Sequence, residues 1–181
     1  MSERWKTVGD VIAGEDGPRP PLYPNFDPDN RSARLNGDGA RVVIPDPGVD
    51  SPYDFTNGDA ITLQAYVRVD KISDGQNVYL IGKGRTGNER YHPDNQNWAL
   101  RLRHVGGRTR LSFLFATPPE TSRSKGKRNQ HWHRWTSNEG LPEDGRWHAV
   151  AVSYRFGDPE SIRGWIDGQS QPGEWDMGGP T

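Results

Sequence analysis

The strongest constraint on the fold of this chain is a period of two. In Ile61-Thr-Leu-Gln-Ala-Tyr-Val-Arg-Val69, the residues Ile61, Leu63, Ala65, Val67 and Val69 fall on one side, and Thr62, Gln64, Tyr66 and Arg68 on the other. The same alternation places Trp98, Leu100 and Leu102 opposite Arg101 and Arg103, and aligns Leu111, Phe113 and Phe115. Successive side chains of a strand point to opposite faces, so this pattern reads as half-buried antiparallel strands. No stretch carries a convincing helical period. Glycine (22) and proline (15) are abundant among the 181 residues, which suits many short strands joined by turns and excludes a helical bundle.

The strands expected from this pattern are 33–35, 41–44, 60–69, 77–81, 98–103, 110–116, 147–155 and 161–167, with a short last one within 169–175. Val105-Gly-Gly-Arg108 reads as a tight hairpin. Asp167-Gly168 reads as a type I′ turn, which needs positive φ at both central residues. The expected fold is all-β, a two-sheet antiparallel sandwich. Trp98 and Trp147 are expected in its core. Residues 1–31, with Pro18, Pro20, Pro21, Pro24 and Pro28, read as an extended Pro-rich lead-in, and 32–181 as the sandwich.

Composition excludes several chemistries. There is no cysteine, so disulfide frameworks, thiolate metal sites and cysteine nucleophiles are absent. No apolar run is long enough for a membrane-spanning helix, and the N-terminus has no signal-peptide core. The net charge of −1 argues against a dedicated nucleic-acid binder. Charge is uneven: residues 1–60 carry 11 acidic and 6 basic side chains, residues 61–181 carry 13 and 17.

Motifs for catalysis are equally sparse. Gly82-Lys-Gly-Arg-Thr-Gly87 matches G-x-G-x-x-G, but Pro93 and the lack of a following helix remove the phosphate cradle that this motif needs. A glycosidase needs two facing carboxylates. Glu139 and Glu143 are four apart in a Gly-Pro loop, Asp158 and Glu160 flank a proline, and no E-x-D-x-x-E strand exists. No G-x-S-x-G elbow occurs either.

Two sets of residues remain as binding candidates. Trp and Tyr rings can pack on the apolar face of a sugar while amides read its hydroxyls; Tyr91, Asn95, Gln96, Asn97, Trp132 and Trp135 could supply this from loops at one end of the sandwich. Trp132 and Trp135 lie in a basic, aromatic stretch, 121–137, read as a loop. His131 and His133 would need a distant third ligand, such as His92 or His148, to hold a metal. Asp38, Asp46, Asp50, Asp54 and Asp59 sit near turns and are possible oxygen ligands for Ca2+.

Four segments, in order, resemble the laminin G-like domains of the concanavalin A-like lectin and glucanase superfamily. They are Arg34-Leu-Asn-Gly-Asp-Gly-Ala-Arg-Val-Val-Ile44, Asp59-Ala-Ile-Thr-Leu-Gln-Ala-Tyr-Val67, Asn77-Val-Tyr-Leu-Ile-Gly-Lys83, and Gly145-Arg-Trp-His-Ala-Val-Ala-Val-Ser-Tyr154 followed by Gly164-Trp-Ile-Asp-Gly168. Further segments, among them His133-Arg-Trp-Thr-Ser137 and Phe156-Gly-Asp-Pro-Glu-Ser-Ile-Arg-Gly-Trp165, resemble the module found in large bacterial envelope proteins with cytochrome-c-like domains. The resemblance implies a jelly roll and a non-catalytic module that binds carbohydrate or a protein partner. It implies a periplasmic, envelope or extracellular setting within a longer chain, and makes calcium plausible. A purely structural role in positioning neighbouring domains is the alternative, and a glycan-active hydrolase a more distant one. The family's closing strand has no counterpart after Trp175, so an open sheet edge is expected.

Overall fold

The computed structural model describes residues 5–48, 50–84, 96–117 and 131–180. The chain divides into two compact units, Met1–Asp54 and Phe55–Thr181. The division falls later than the boundary expected after residue 31.

The first unit consists of two antiparallel ribbons. β1 (Lys6–Val8) pairs with β4 (Arg41–Val43), and β2 (Val11–Asp16) with β3 (Arg31–Leu35). The Pro-rich stretch is therefore not an extended lead-in but the connection between two paired strands. Its base is tied by Gly17 N–H donating to the Asn30 carbonyl (3.2 Å) and by Asn30 Nδ2 donating to the Pro18 carbonyl (3.0 Å). Asp16 accepts from both Arg19 (2.7 Å) and Arg31 (3.0 Å). The sequence pattern does not reveal β1 and β2, because both are short and mostly exposed, with little apolar alternation.

The second unit is the expected antiparallel sandwich. One sheet has the order β12 (Gln169–Gln171), β11 (Asp158–Ile166), β10 (Trp147–Arg155), β5 (Ala60–Arg68). The other has the order β13 (Gly173–Met177), β9 (Trp132–Leu141), β8 (Arg108–Ala116), β7 (Gln96–Val105), β6 (Asn77–Gly84). The core lies between them. Ile61, Leu63, Val150, Val152, Tyr154 and Ile166 from the four-stranded sheet meet Trp98, Leu100, Leu102, Leu111, Phe113, Phe115 and Trp135 from the five-stranded one. These are the alternating apolar positions of the sequence. Phe115 stacks on Tyr154 at 5.4 Å, and burial pushes the Tyr154 phenol up to about 12.

One contact shows how closely the two layers approach. A Cβ on Gly164 of β11 would lie 2.5 Å from Trp135, and one on Gly173 of β13 would lie 2.3 Å from the same indole. Two positions without side chains thus make room for one large ring. Trp147, by contrast, is not in the core. It is half-buried on the outer face of β10, with the Arg68 guanidinium 5.3 Å from its ring. Its parity on β10 is opposite to that of Val150, Val152 and Tyr154, which decides the matter.

The two glycine turns behave as the sequence demands. Gly106 and Gly107 have φ of 62° and 74°, and Asp167 and Gly168 have φ of 50° and 76°. Among the described residues, no helix is long and apolar enough to cross a membrane.

Candidate functional site

A shallow, open groove of about 410 Å³ lies at one end of the five-stranded sheet. Its size falls within the range of small-ligand sites. The end of β7, the turn after it and the start of β8 contribute His104, Gly107, Arg108 and Thr109. The end of β9 and the adjoining loop contribute Glu139, Gly140, Leu141, Pro142 and Glu143.

A bulge makes the groove. Opposite Leu111, the register of β8 and β9 shifts between Arg110 and Ser112. The Ser137 hydroxyl fills the gap, accepting from the Leu111 N–H (3.0 Å) and donating to the Glu139 carbonyl (2.7 Å). Extra residues on one strand redirect the side chains beyond them, and here they bring Glu139 to the rim, where Arg108 meets it at 3.1 Å. Gly140 lets β9 lie close to β8, since a Cβ there would be 3.2 Å from the Thr109 carbonyl oxygen.

The groove wall is polar and its groups are paired. Glu143 reaches back from the loop to accept a hydrogen bond from the buried Thr109 hydroxyl. The Nδ1 of His104 lies 3.2 Å from the same carboxylate and 3.0 Å from Thr109 Oγ1. A hydroxyl–imidazole–carboxylate relay places the imidazole between the other two groups, one at each ring nitrogen. Here both partners meet the same nitrogen, and the hydroxyl hydrogen is already given to Glu143. The trio therefore forms a polar wall of the groove, and its geometry does not activate Thr109 as a nucleophile.

The residues singled out from sequence go elsewhere. Tyr91 and Asn95 lie outside the described residues, as do residues 121–130 of the basic stretch 121–137. Gln96 begins β7, and Asn97 is half-buried beside it. Trp132 and Trp135 belong to β9, not to an end loop, and are only 5% and 2% exposed. Trp135 is a core residue, and neither ring presents a face to solvent. The segment 132–137 reads as loop in the sequence because its charged and aromatic residues mask the alternation. The signal is nevertheless present: Trp135 and Ser137 alternate with Arg134 and Thr136.

The calcium candidates serve their own turns. Asp46 accepts from the Gly48 N–H at 2.9 Å, and Asp54 from the Ser51 N–H at 2.9 Å. Asp59 accepts from the Thr56 N–H (2.8 Å) and hydroxyl (3.0 Å), which together hold its carboxyl below the usual range. Asp50 takes a positive φ of 59°, and Asp38 is exposed in a turn. Among the described residues, no three His, Asp or Glu side chains come together as a metal site would require. His133 stacks on Phe115 at 5.0 Å and sits 3.1 Å from the Gly179 carbonyl, so it is occupied structurally.

A second cluster emerges only in three dimensions. The imidazole of His148 lies between two carboxylates, with Nδ1 2.6 Å from Asp167 and Nε2 3.0 Å from Asp144. Asp167 also accepts from the Ala149 N–H at 2.9 Å, which fastens the β11–β12 turn to β10. Burial pulls His148 down, but the hydrogen bonds and charges of Asp167 and Asp144 outweigh it and raise it overall. Asp144 is held far below the usual carboxylate range by His148 and by the backbone and side chain of Arg146. With both ring nitrogens facing carboxylates, the imidazolium satisfies the site fully. It acts as a clamp, since each of its polar groups is used inside the cluster.

Comparisons with protein-family models, with curated proteins and with solved structures return no match to this chain.

Proposed function

We propose that residues 55–180 are a non-catalytic recognition module of the laminin G-like, concanavalin A-like jelly-roll type, which binds carbohydrate in the groove between His104 and Glu143. The observation that carries the reading is the groove wall itself. It offers a guanidinium, an imidazole and two carboxylates, the groups that pair with sugar hydroxyls, with no relay that would activate a nucleophile. The module belongs to a larger envelope or secreted protein in this reading. A fold resemblance alone is a weak warrant for a ligand, so the groove carries the argument.

A glycan panel presented to the purified protein tests it. Arg108 and Glu139 are more than half exposed, so removing them disturbs stability little. Arg108→Ala and Glu139→Ala are each expected to weaken binding of the retained glycan about tenfold, as loss of a charged hydrogen bond does. No retained glycan, or retention indifferent to both variants, removes the carbohydrate reading.

A protein-partner reading is favoured by one feature, the free edge of β5. All nine of its residues pair with β10 without a bulge, and among the described residues no strand lies along its other edge. Long, regular edges of this kind accept an added strand. Hydrogen-exchange protection of 60–68 that rises in the longer protein would favour this second reading over the first.

A further inference from the structure

The outer face of the five-stranded sheet carries more positive charge than its own described residues balance. Alternation puts Arg101 and Arg103 of β7, Arg108 and Arg110 of β8 and Arg134 of β9 on this face, opposite to the core positions Leu100, Leu102, Leu111 and Trp135, and Arg108 is balanced by Glu139 at 3.1 Å. Beside Glu139, the carboxylates that β13 brings to this face are Asp176 and Glu174. Asp176 is fully engaged: it accepts from Arg103 at 2.7 Å, from Arg134 at 2.6 Å and from the Thr136 hydroxyl at 3.2 Å.

Arg110 and Arg101 have no such carboxylate among the described residues. Arg110 stands directly opposite Arg103 across the β7–β8 ladder. Like charges so placed repel. Its Nε is buried without a hydrogen-bond partner. Arg101 is only 4% exposed, and its Nε likewise lacks a partner. One of its terminal nitrogens donates to Ser112 at 3.2 Å, and its guanidinium lies 5.4 Å from the Tyr79 ring. Burial pulls Arg101 below its ordinary range, Tyr79 works against this, and the charges of Arg134 and Arg103 add to the lowering. A buried guanidinium without a charged acceptor is unfavourable on its own. Arginine forks match the planar or tetrahedral oxygens of carboxylate, sulfate and phosphate.

We propose that this face is a binding site for an oxyanion group, which Arg103, Arg110 and Arg134 receive while the buried Arg101 supplies charge from behind. The site adjoins the groove, since Arg110 lies directly opposite Gly140 and two residues from Arg108, but it uses different side chains, so the sulfate test reads it apart from the carbohydrate reading. An anion here removes the Arg103–Arg110 repulsion and gives the guanidinium donors acceptors. Asp176 already shows the coordination on one side, a carboxylate held by two arginines and a threonine.

Sulfate in the low millimolar range, compared with chloride at equal ionic strength, is the first probe. Arg110→Gln removes a charge whose Nε has no partner, so this variant folds. It is expected to bind sulfate about tenfold more weakly by calorimetric titration and to show a higher Tm than the parent in chloride. Arg163→Gln, on the exposed face of the other sheet, is expected to bind sulfate like the parent. Dextran sulfate against neutral dextran then identifies the source. Tighter binding per sulfate to the polymer identifies an acidic polymer as the ligand; equal binding identifies a free oxyanion. Absence of sulfate binding by the parent, or identical binding by the parent and Arg110→Gln, overturns the proposal.

Discussion

Trp135 and Arg134 are neighbours in β9, yet they stand on faces of one sheet that obey different rules. On the inner face the large side chains are covered from the opposite sheet, down to the two glycines that admit Trp135. On the outer face, among the described residues, Asp176 holds Arg103 and Arg134 and Glu139 holds Arg108, while Arg101 and Arg110 have no carboxylate and their Nε atoms are buried without acceptors. The four-stranded sheet handles buried charge differently: His148 has a carboxylate at each nitrogen. The charge of His148 is thus balanced by its own neighbours. The imbalance of the outer face marks it as the place where something else is expected to complete the pairing.

The comparison can be broken at its inner side first. Trp135→Ala empties a fully packed position and is expected to destabilise the protein by about 3–5 kcal/mol, measured by denaturant unfolding. A loss below about 1 kcal/mol would mean that the ring is not a core residue. Next is Asp176→Asn on the outer face, which leaves Arg103 and Arg134 without their carboxylate. A loss of about 1–3 kcal/mol is expected, recovered in part by added sulfate.

The His148 clamp gives a pH test of the balanced case. Its folded value is raised above the ordinary 6.5. The stabilisation is therefore fully present below 6.5 and is lost as pH rises through the raised folded value. Asp144 is lowered, so its contribution is present above the ordinary 3.8 and is lost as pH falls through its folded value. The clamp is strongest between those limits. His148→Gln is expected to remove the alkaline fall in Tm; an unchanged profile would show that the imidazole is neutral in the folded protein. The smallest effect is that of Arg110→Gln without ligand, a stabilisation of about 0.2–1 kcal/mol from relief of cross-strand repulsion.

Much of the fold is legible in the sequence, for a physical reason. Ile61 to Val69 alternates cleanly because β5 lies between a dry face and a wetter one; in Trp98 to Arg103 and Leu111 to Phe115 the outer positions Ala99, Arg101, Ser112 and Leu114 are buried as well, and the large apolar residues at every second position carry the signal. The turns at Gly106-Gly107 and Asp167-Gly168 are legible because positive φ restricts the residue types. β9 escapes a sequence reading because Trp132 and Thr136 of its outer face are buried rather than exposed and blur the period. The same blur misplaces the binding aromatics: a tryptophan in a basic stretch reads as a platform until its strand parity is known. The groove is half legible, since Glu139 and Glu143 stand close in the sequence, but the bulge that turns them towards His104 depends on pairing with β8. The arginine face is legible only as two residues of one strand. Its other members arrive from β8 and β9, and only the register brings Arg110 opposite Arg103.

The most direct test of the difference between the faces tracks the guanidinium Nε–Hε resonances of isotope-labelled protein by NMR as sulfate is added at constant ionic strength. If the outer face is an oxyanion site, the signals of Arg103, Arg110 and Arg134 shift together and saturate, while those of Arg155 and Arg163 on the other sheet stay in place. Uniform small shifts across all arginines, or none on the outer face of the five-stranded sheet, would contradict that difference.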